Sequence, residues 1–260
     1  MEKRARQKYP LLREVTDDEH VDMVREIFST ITGKYDFLNH LLSLRRDIAW
    51  RRSAVRKMRF FRTYRLLDVA TGTADLAIDA AYRHPRIQVT GVDFVREMMD
   101  LGRAKIKKKR LSDSIRLLMG DALDLPFPNS SFDVAAIAFG IRNIPDKIRS
   151  LREMVRVVVP GGQVMVLEMT LPRNSLFRSV YQAYLARMLP TLARAFSKNP
   201  AAYGYLANSI ASFPTQEGFA NLMEEAGLTR VEKHSLTLGI THLFIGVKPG
   251  PSGAGLSRYT

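Results

Sequence analysis

From Arg65 onward the chain alternates short apolar runs with amphipathic stretches of helical spacing, and this alternation narrows its fold more than any other feature. Residues 66–70, 88–92, 115–119, 134–139 and 164–168 read as short buried strands, with helices predicted at 74–83, 96–109 and 146–158 between them. The turn Pro160-Gly161-Gly162 precedes the fifth strand. Strands joined by helical crossovers pair in parallel and form a sheet covered on both faces. After a long helical excursion come a helix at 215–226 and strands near 229–235 and 241–247. The last two are close enough in sequence to form a hairpin, which puts an antiparallel strand into an otherwise parallel sheet. The expected fold is therefore α/β and Rossmann-like. Its mainly parallel seven-stranded sheet carries an antiparallel C-terminal strand, with helical elaborations at the N-terminus and as a lid.

A chain of 260 residues with 46% apolar content can build one large domain or two small ones, and no repeat or low-complexity linker divides it. The expected organisation is a mobile tail at 1–18, one domain at 19–248 with a helical insertion at about 172–212, and a mobile tail at 249–260. The start, Met1-Glu2-Lys3-Arg4, is charged and no long apolar stretch follows, so a cytoplasmic protein is expected. With no cysteine there is no thiolate chemistry, and the five histidines lack paired metal spacing. The formal net charge of +14 favours contact with a polyanion, and nucleic acid or an anionic membrane surface would both qualify. Basic residues concentrate at 45–65, where Asp47 is the one acid, and again at 103–110.

Residues 66–75 read as strand, glycine turn and helix start. Gly72 permits close approach of backbone to a ligand. A dinucleotide fingerprint would place glycines at 70, 72 and 75, but Ala70 and Asp75 stand at two of these, and a carboxylate there opposes a pyrophosphate. A nucleoside with a cationic or zwitterionic tail fits better, which suits S-adenosylmethionine. Asp93, ending the second strand, can accept from both ribose hydroxyls. After the third strand, Asp121 can accept from an adenine amino group while the Ala122 amide donates to the ring. Phe139-Gly140-Ile141-Arg142-Asn143 then carries the fourth strand straight into a cation and an amide, at the end of the sheet where ligands bind.

A parallel sheet ending in a hairpin resembles the fold of S-adenosylmethionine-dependent methyltransferases. More narrowly, the chain resembles the quinone-biosynthesis C-methyltransferases that act on ubiquinone and menaquinone precursors. That resemblance runs from about Val21 to Val247. It rests on Lys34-Tyr35-Asp36-Phe37-Leu38-Asn39, Trp50-Arg51-Arg52, Leu125-Pro126-Phe127-Pro128 with Ser131-Phe132-Asp133, the Arg142-Asn143 pentad, and residues 203–214 with Glu217. It implies cofactor contacts from Thr73, Asp93, Asp121 and Ala122. Ala138 stands where some members carry serine, and Asp47-Ile48 replaces a His-Arg pair common before the tryptophan. Thr71-Gly72-Thr73-Ala74-Asp75 looks more like the menaquinone branch.

The implied reaction is C-methylation of a polyprenylated demethylmenaquinol. A methoxybenzoquinol acceptor is the alternative, and a nucleic-acid-binding protein with a vestigial pocket is the alternative from another class. A ring carbon becomes nucleophilic when the neighbouring hydroxyl of the reduced quinol ionises. Arg142 is then expected to stabilise the oxyanion or hold a water poised as base, Asn143 to orient the ring oxygen, and Tyr35 to relay a proton. Residues 173–198 hold five basic residues and no acid beside an apolar stripe, as an interfacial helix or a lid over a prenyl tail would. The expected partners are a polyprenyl quinol and, peripherally, an anionic membrane. Nucleic acid is not expected, and a homodimer is compatible with the sequence.

Overall fold

Three central apolar runs have no polar face, and such strands are stable only when both sides of the sheet are covered. In the computed structural model, which describes residues 16–31, 40, 43–188, 191, 199 and 201–250, they form the middle of a seven-stranded sheet. The strands are β1 (Arg65–Val69), β2 (Gln88–Asp93), β3 (Ile115–Met119), β4 (Phe132–Ala138), β5 (Val158–Met169), β6 (Thr229–Leu236) and β7 (Thr241–Val247). Their order is β3-β2-β1-β4-β5-β7-β6, with β7 antiparallel to both neighbours and the pairs from β3 to β5 parallel. The order reverses between β1 and β4, so a crevice opens beyond their carboxyl ends, where open α/β sheets bind ligands.

Side chains alternate between the two faces along each strand. Leu66, Val134, Ala136, Met165 and Leu167 meet α2 (Arg46–Arg56) and α3 (Asp75–Arg83) on one side. Leu67, Val69, Ala135, Ile137, Val164 and Val166 meet α5 (Lys147–Val157) and α8 (Gln216–Glu225) on the other. Between them in sequence lie α4 (Arg96–Lys108), α6 (Ser175–Ala183) and α7 (Ala201–Ala211). A third apolar cluster joins Met23, Val24 and Ile27 of α1 (Asp17–Ile31) to Tyr181, Leu185, Tyr205 and Ile210. Thus the N-terminal helix and the insertion pack on each other rather than standing as separate elaborations.

Asp133 explains why Ser131-Phe132-Asp133 leads into a strand. Its buried carboxylate accepts from the consecutive amides of Phe61, Arg62, Thr63 and Tyr64, tying the loop before β1 to β4.

Three expectations need correction. The strand at 115–119 is not buried: β3 is a sheet edge, and Leu118 and Met119 are exposed. The fifth strand begins at Val158, before Pro160-Gly161-Gly162, because the chain bulges against β4 there instead of turning out of the sheet. Of the helix expected across 173–198, Ser175–Ala183 is α-helical and the chain continues as a π-helical stretch, Tyr184–Met188, while most of 189–198 lies outside the described residues. Pro190 and the two tails before Thr16 and after Gly250 lie outside the described residues.

Candidate active site

The turn after β1 is held open by backbone geometry that side chains rarely adopt. Ala70, Gly72 and Ala74 all have positive φ, so one glycine and two alanines take the left-handed region within five residues. The Gly72 amide donates to Asp93 Oδ2 at 2.7 Å, and the Val95 amide donates to Oδ1 at 2.9 Å. Burial pushes the Asp93 carboxyl above its usual range, while these amides pull the other way. Across the crevice, Gly140 allows β4 to approach the turn: a Cβ there would lie 2.8 Å from Ala70 Cβ.

Ala70, Gly72, Asp93, Phe94, Met98, Gly140 and Asn143 wall a narrow cavity between these turns. Among the described residues its lining carries one charged side chain, the Asp93 carboxylate. A carboxylate with lone pairs to spare can accept from a ribose diol, and the apolar walls can take a purine ring. A cationic tail meets no opposing cation, whereas a pyrophosphate would find no basic partner. The donor set therefore fits S-adenosylmethionine.

The residues singled out for the nucleoside do not all reach this cavity. Gly72 and Asp93 line it. Thr73 sits buried behind the turn, its hydroxyl accepting from Lys105 Nζ at 2.8 Å, and Lys105 also donates to Asp75. Asp121 is exposed and accepts from the Leu123 amide, and Ala122 packs against the β4–α5 side of the core. Tyr35 lies outside the described residues.

Phe139 ends β4 in the left-handed region, and the next residues form a single 3-10 turn, Ile141–Asn143. This kink sends Arg142 and Asn143 to opposite neighbourhoods. Asn143 faces the cofactor cavity. Its Oδ1 accepts from the Tyr205 hydroxyl at 3.0 Å, and Tyr205 in turn lies 3.1 Å from His20 Nε2. With Tyr205 donating to Asn143, His20 must donate to Tyr205, and the Asn143 amide hydrogens are left to point at a ligand. Burial, with Lys147 nearby, lowers the His20 pKa, while burial raises that of Tyr205.

Arg142 faces a second cavity of about 450 Å³ on the other side of Phe139. Trp50, Tyr181, Tyr184, Leu185 and Ile240 contribute to its largely apolar wall. The guanidinium Nη1 donates to Glu168 Oε1 at 2.7 Å and to the Phe139 carbonyl, and the Arg142 amide donates to Glu168 Oε2. Glu168 is fully buried at the end of β5, so this is a desolvated ion pair that fixes a cation at the head of an apolar chamber.

Sequence reasoning missed Glu168, Tyr205 and Asp47. Glu168 carried the signal that identified Asp93, a carboxylate at the end of an apolar strand. Tyr205 lay within the 203–214 stretch of the resemblance but was given no role, because its partners Asn143 and His20 are distant in sequence. Asp47 stood out as the single acid in a basic run and as a departure from the His-Arg pair before the tryptophan, but was given no role, and its buried carboxylate lines the second cavity.

The description "ubiE/COQ5 methyltransferase family" belongs to a family model that matches residues 14–248. A protein of Geotalea daltonii named "Ubiquinone/menaquinone biosynthesis C-methyltransferase UbiE" is 42% identical over 88% of this chain and 98% of its own length. A "Demethylmenaquinone methyltransferase" of Deinococcus radiodurans is 43% identical over 86% of this chain and 92% of its own. Among solved structures, a methyltransferase of Thermotoga maritima, described as S-adenosylmethionine-dependent, superposes with a TM-score of 0.59 at 21% identity, covering 86% of this chain and 98% of that one. A phosphoethanolamine methyltransferase of Haemonchus contortus, solved with S-adenosylhomocysteine, gives 0.62 at 16% identity over 90% of this chain and 60% of that one. These two likenesses speak to the fold.

Proposed function

The chain belongs to the ubiE/COQ5 methyltransferase family, and on that premise we propose that the cavity beside Arg142 receives the ring of a polyprenylated demethylmenaquinol for methylation at carbon. The protein is an S-adenosylmethionine-dependent methyltransferase of quinone biosynthesis. When bound, S-adenosylmethionine supplies the methyl group in activated form as a sulfonium. Asp93 and Gly72 hold its nucleoside.

The observation that carries the reading is the second cavity itself: a buried cation at the head of a largely apolar chamber that adjoins the nucleoside site at Phe139. A quinol has that polarity, with ring oxygens at one end and a prenyl chain at the other. Arg142 stabilises the ring oxyanion that makes the neighbouring carbon nucleophilic, while Asn143, expected to orient the ring oxygen, lines the nucleoside cavity and donates on the cofactor side instead. Relatives that carry the demethylmenaquinone name favour the naphthoquinol over the benzoquinol.

The chamber's rim supports delivery from a bilayer. Leu44, Phe177, Val180 and Leu238 are exposed there with Arg46, and Leu176, Met188, Arg45, Arg178 and Arg187 are exposed on the same segments. Apolar side chains beside arginines suit peripheral contact with an anionic surface. No helix among the described residues is long and apolar enough to cross a membrane. Mass spectrometry of quinones from cells lacking the gene tests the proposal. Accumulated demethylnaphthoquinone is the expected result, and a normal menaquinone pool would overturn it.

A further inference from the structure

Asp47 puts a buried carboxylate into the wall of a largely apolar chamber. It is 3% exposed, in the first turn of α2, and it lines the same cavity as Arg142. The two residues before that helix, Leu44 and Arg45, both take the left-handed region with φ of 50° and 61°. Non-glycine residues in that region carry strain, which the surrounding contacts must hold in place. Here it turns the start of α2 so that Asp47 points inward.

The carboxylate is held from three sides. Ser43 Oγ donates to Oδ1 at 2.6 Å, while His40 Nδ1 at 2.8 Å and Arg51 Nη1 at 2.9 Å donate to Oδ2. An ionised carboxylate offers about four acceptor positions. Among the described residues three are taken, and the remaining one lies on Oδ1, which Ser43 engages.

We infer that Asp47 is the base that removes the ring proton after methyl transfer, working with Arg142 in the acceptor chamber that both line. This rests on the quinol reading above. The methylated ring carbon carries both its new methyl group and its original hydrogen. The C–H bond breaks, its electron pair restores the aromatic ring and returns charge to the oxygen facing Arg142, and the proton passes to Asp47. No oxidant or further reactant is required. The hydrogen bonds from Ser43 and the charges of Arg51 and His40 keep the Asp47 pKa below its ordinary value, against the effect of burial. Such a carboxylate is too weak a base for an ordinary phenol, yet adequate for a carbon acid whose deprotonation regains aromaticity. Two charged groups of the chamber thus divide the work, with Arg142 on the oxygen and Asp47 on the carbon.

The test uses the full-length enzyme, S-adenosylmethionine and a short-chain demethylnaphthoquinol, with and without deuterium at the carbon to be methylated. Asp47→Asn should lower kcat by about 100-fold, the lower end of what general bases contribute. The acceptor KM and cofactor affinity should stay within a few-fold of wild type. A primary deuterium isotope effect on product formation, absent in the wild type, should appear in the variant because C–H cleavage becomes limiting. Asp47→Glu, which keeps a carboxylate, should retain part of the rate even where Asp47→Asn folds poorly. Loss of rate without an isotope effect would show that Asp47 merely anchors Arg51 and would overturn the assignment, as would unchanged kcat. A wild-type enzyme that left the naphthoquinol unmethylated would instead remove the functional reading on which the assignment stands.

Discussion

The two cavities that meet at Phe139 are held by different parts of the chain. Around Asp93 the fixed groups are backbone: amides of Gly72 and Val95, left-handed residues 70, 72 and 74, and the bare Cα of Gly140. Around Arg142 they are side chains from distant elements, with Glu168 at the end of β5, Asp47 and Trp50 on α2, and Tyr181 beyond β5. A backbone cradle serves any acceptor chemistry, because the nucleoside is common to the whole fold. A side-chain chamber is specific to one acceptor, and its polar groups must be paired with each other when that acceptor is absent.

That difference sets the largest predicted effect. Arg142→Leu should lower turnover by about 10²–10³-fold, the loss expected when one oxyanion-stabilising group is removed, with cofactor affinity almost unchanged. The same change strands Glu168 without its partner, a situation that costs about 3–5 kcal/mol in buried pairs. Arg142→Leu/Glu168→Leu should therefore recover much of the thermal stability and none of the activity. If calorimetry instead showed cofactor affinity collapsing with Arg142, the two cavities would be one site and the contrast would fail. Asp93→Ala should give the mirror result, with cofactor affinity reduced about tenfold or more through loss of charge-assisted hydrogen bonds, and turnover at saturating cofactor far less affected.

The contrast also decides what was legible in the sequence. Gly72 and Asp93 could be read because each sits at the end of its own apolar strand, and parallel strands present their ends on one edge. Arg142 and Asn143 were visible for the same reason. Glu168 was equally placed but was absorbed into the description of a strand. Asp47 and Tyr205 acquire meaning only when α1, α2 and α7 fold over the crevice, and no local pattern reports that α1 packs against the insertion. Edge status was hidden too: Leu118 and Met119 are as apolar as any core pair, and only the strand order exposes them.

A smaller effect probes the foundation of the backbone cradle. Asp68, fully buried beneath the turn, accepts from Thr71 Oγ1 at 2.7 Å and from the Ala77 amide, yet burial pushes its pKa up to about 7. A carboxyl whose folded pKa is raised stabilises the fold most below its unfolded value near 4, and that contribution disappears as pH rises through 7. The span corresponds to a few kcal/mol, on the order of 4 at most. Asp68→Asn keeps both accepted hydrogen bonds without the charge. Its melting temperature relative to wild type should climb between pH 5 and pH 8, and a pH-independent difference would show that Asp68 is ionised throughout.

The smallest predicted change concerns how the cradle is entered. Val24 and Phe28 of α1 line the cofactor cavity, leaving about 60 Å³, well short of the roughly 300 Å³ at the lower end of small-molecule sites. The Arg25 guanidinium lies 5.6 Å from the Phe94 ring centroid on the same wall, so α1 is fastened over the cavity from its own flank. A nucleoside is expected to enter as α1 shifts; α1 packs on the insertion, whose Phe177, Val180, Tyr181 and Leu185 line the second cavity. Phe28→Ala removes bulk from the entrance and leaves Asp93 and Gly72 untouched. Association and dissociation of S-adenosylmethionine, followed by stopped flow, should both quicken by a few-fold while the equilibrium affinity stays nearly constant, as for a gate that obstructs passage in both directions. A weakened affinity with an unaltered association rate would make Phe28 part of the binding wall, and the cradle would then depend on a side chain after all.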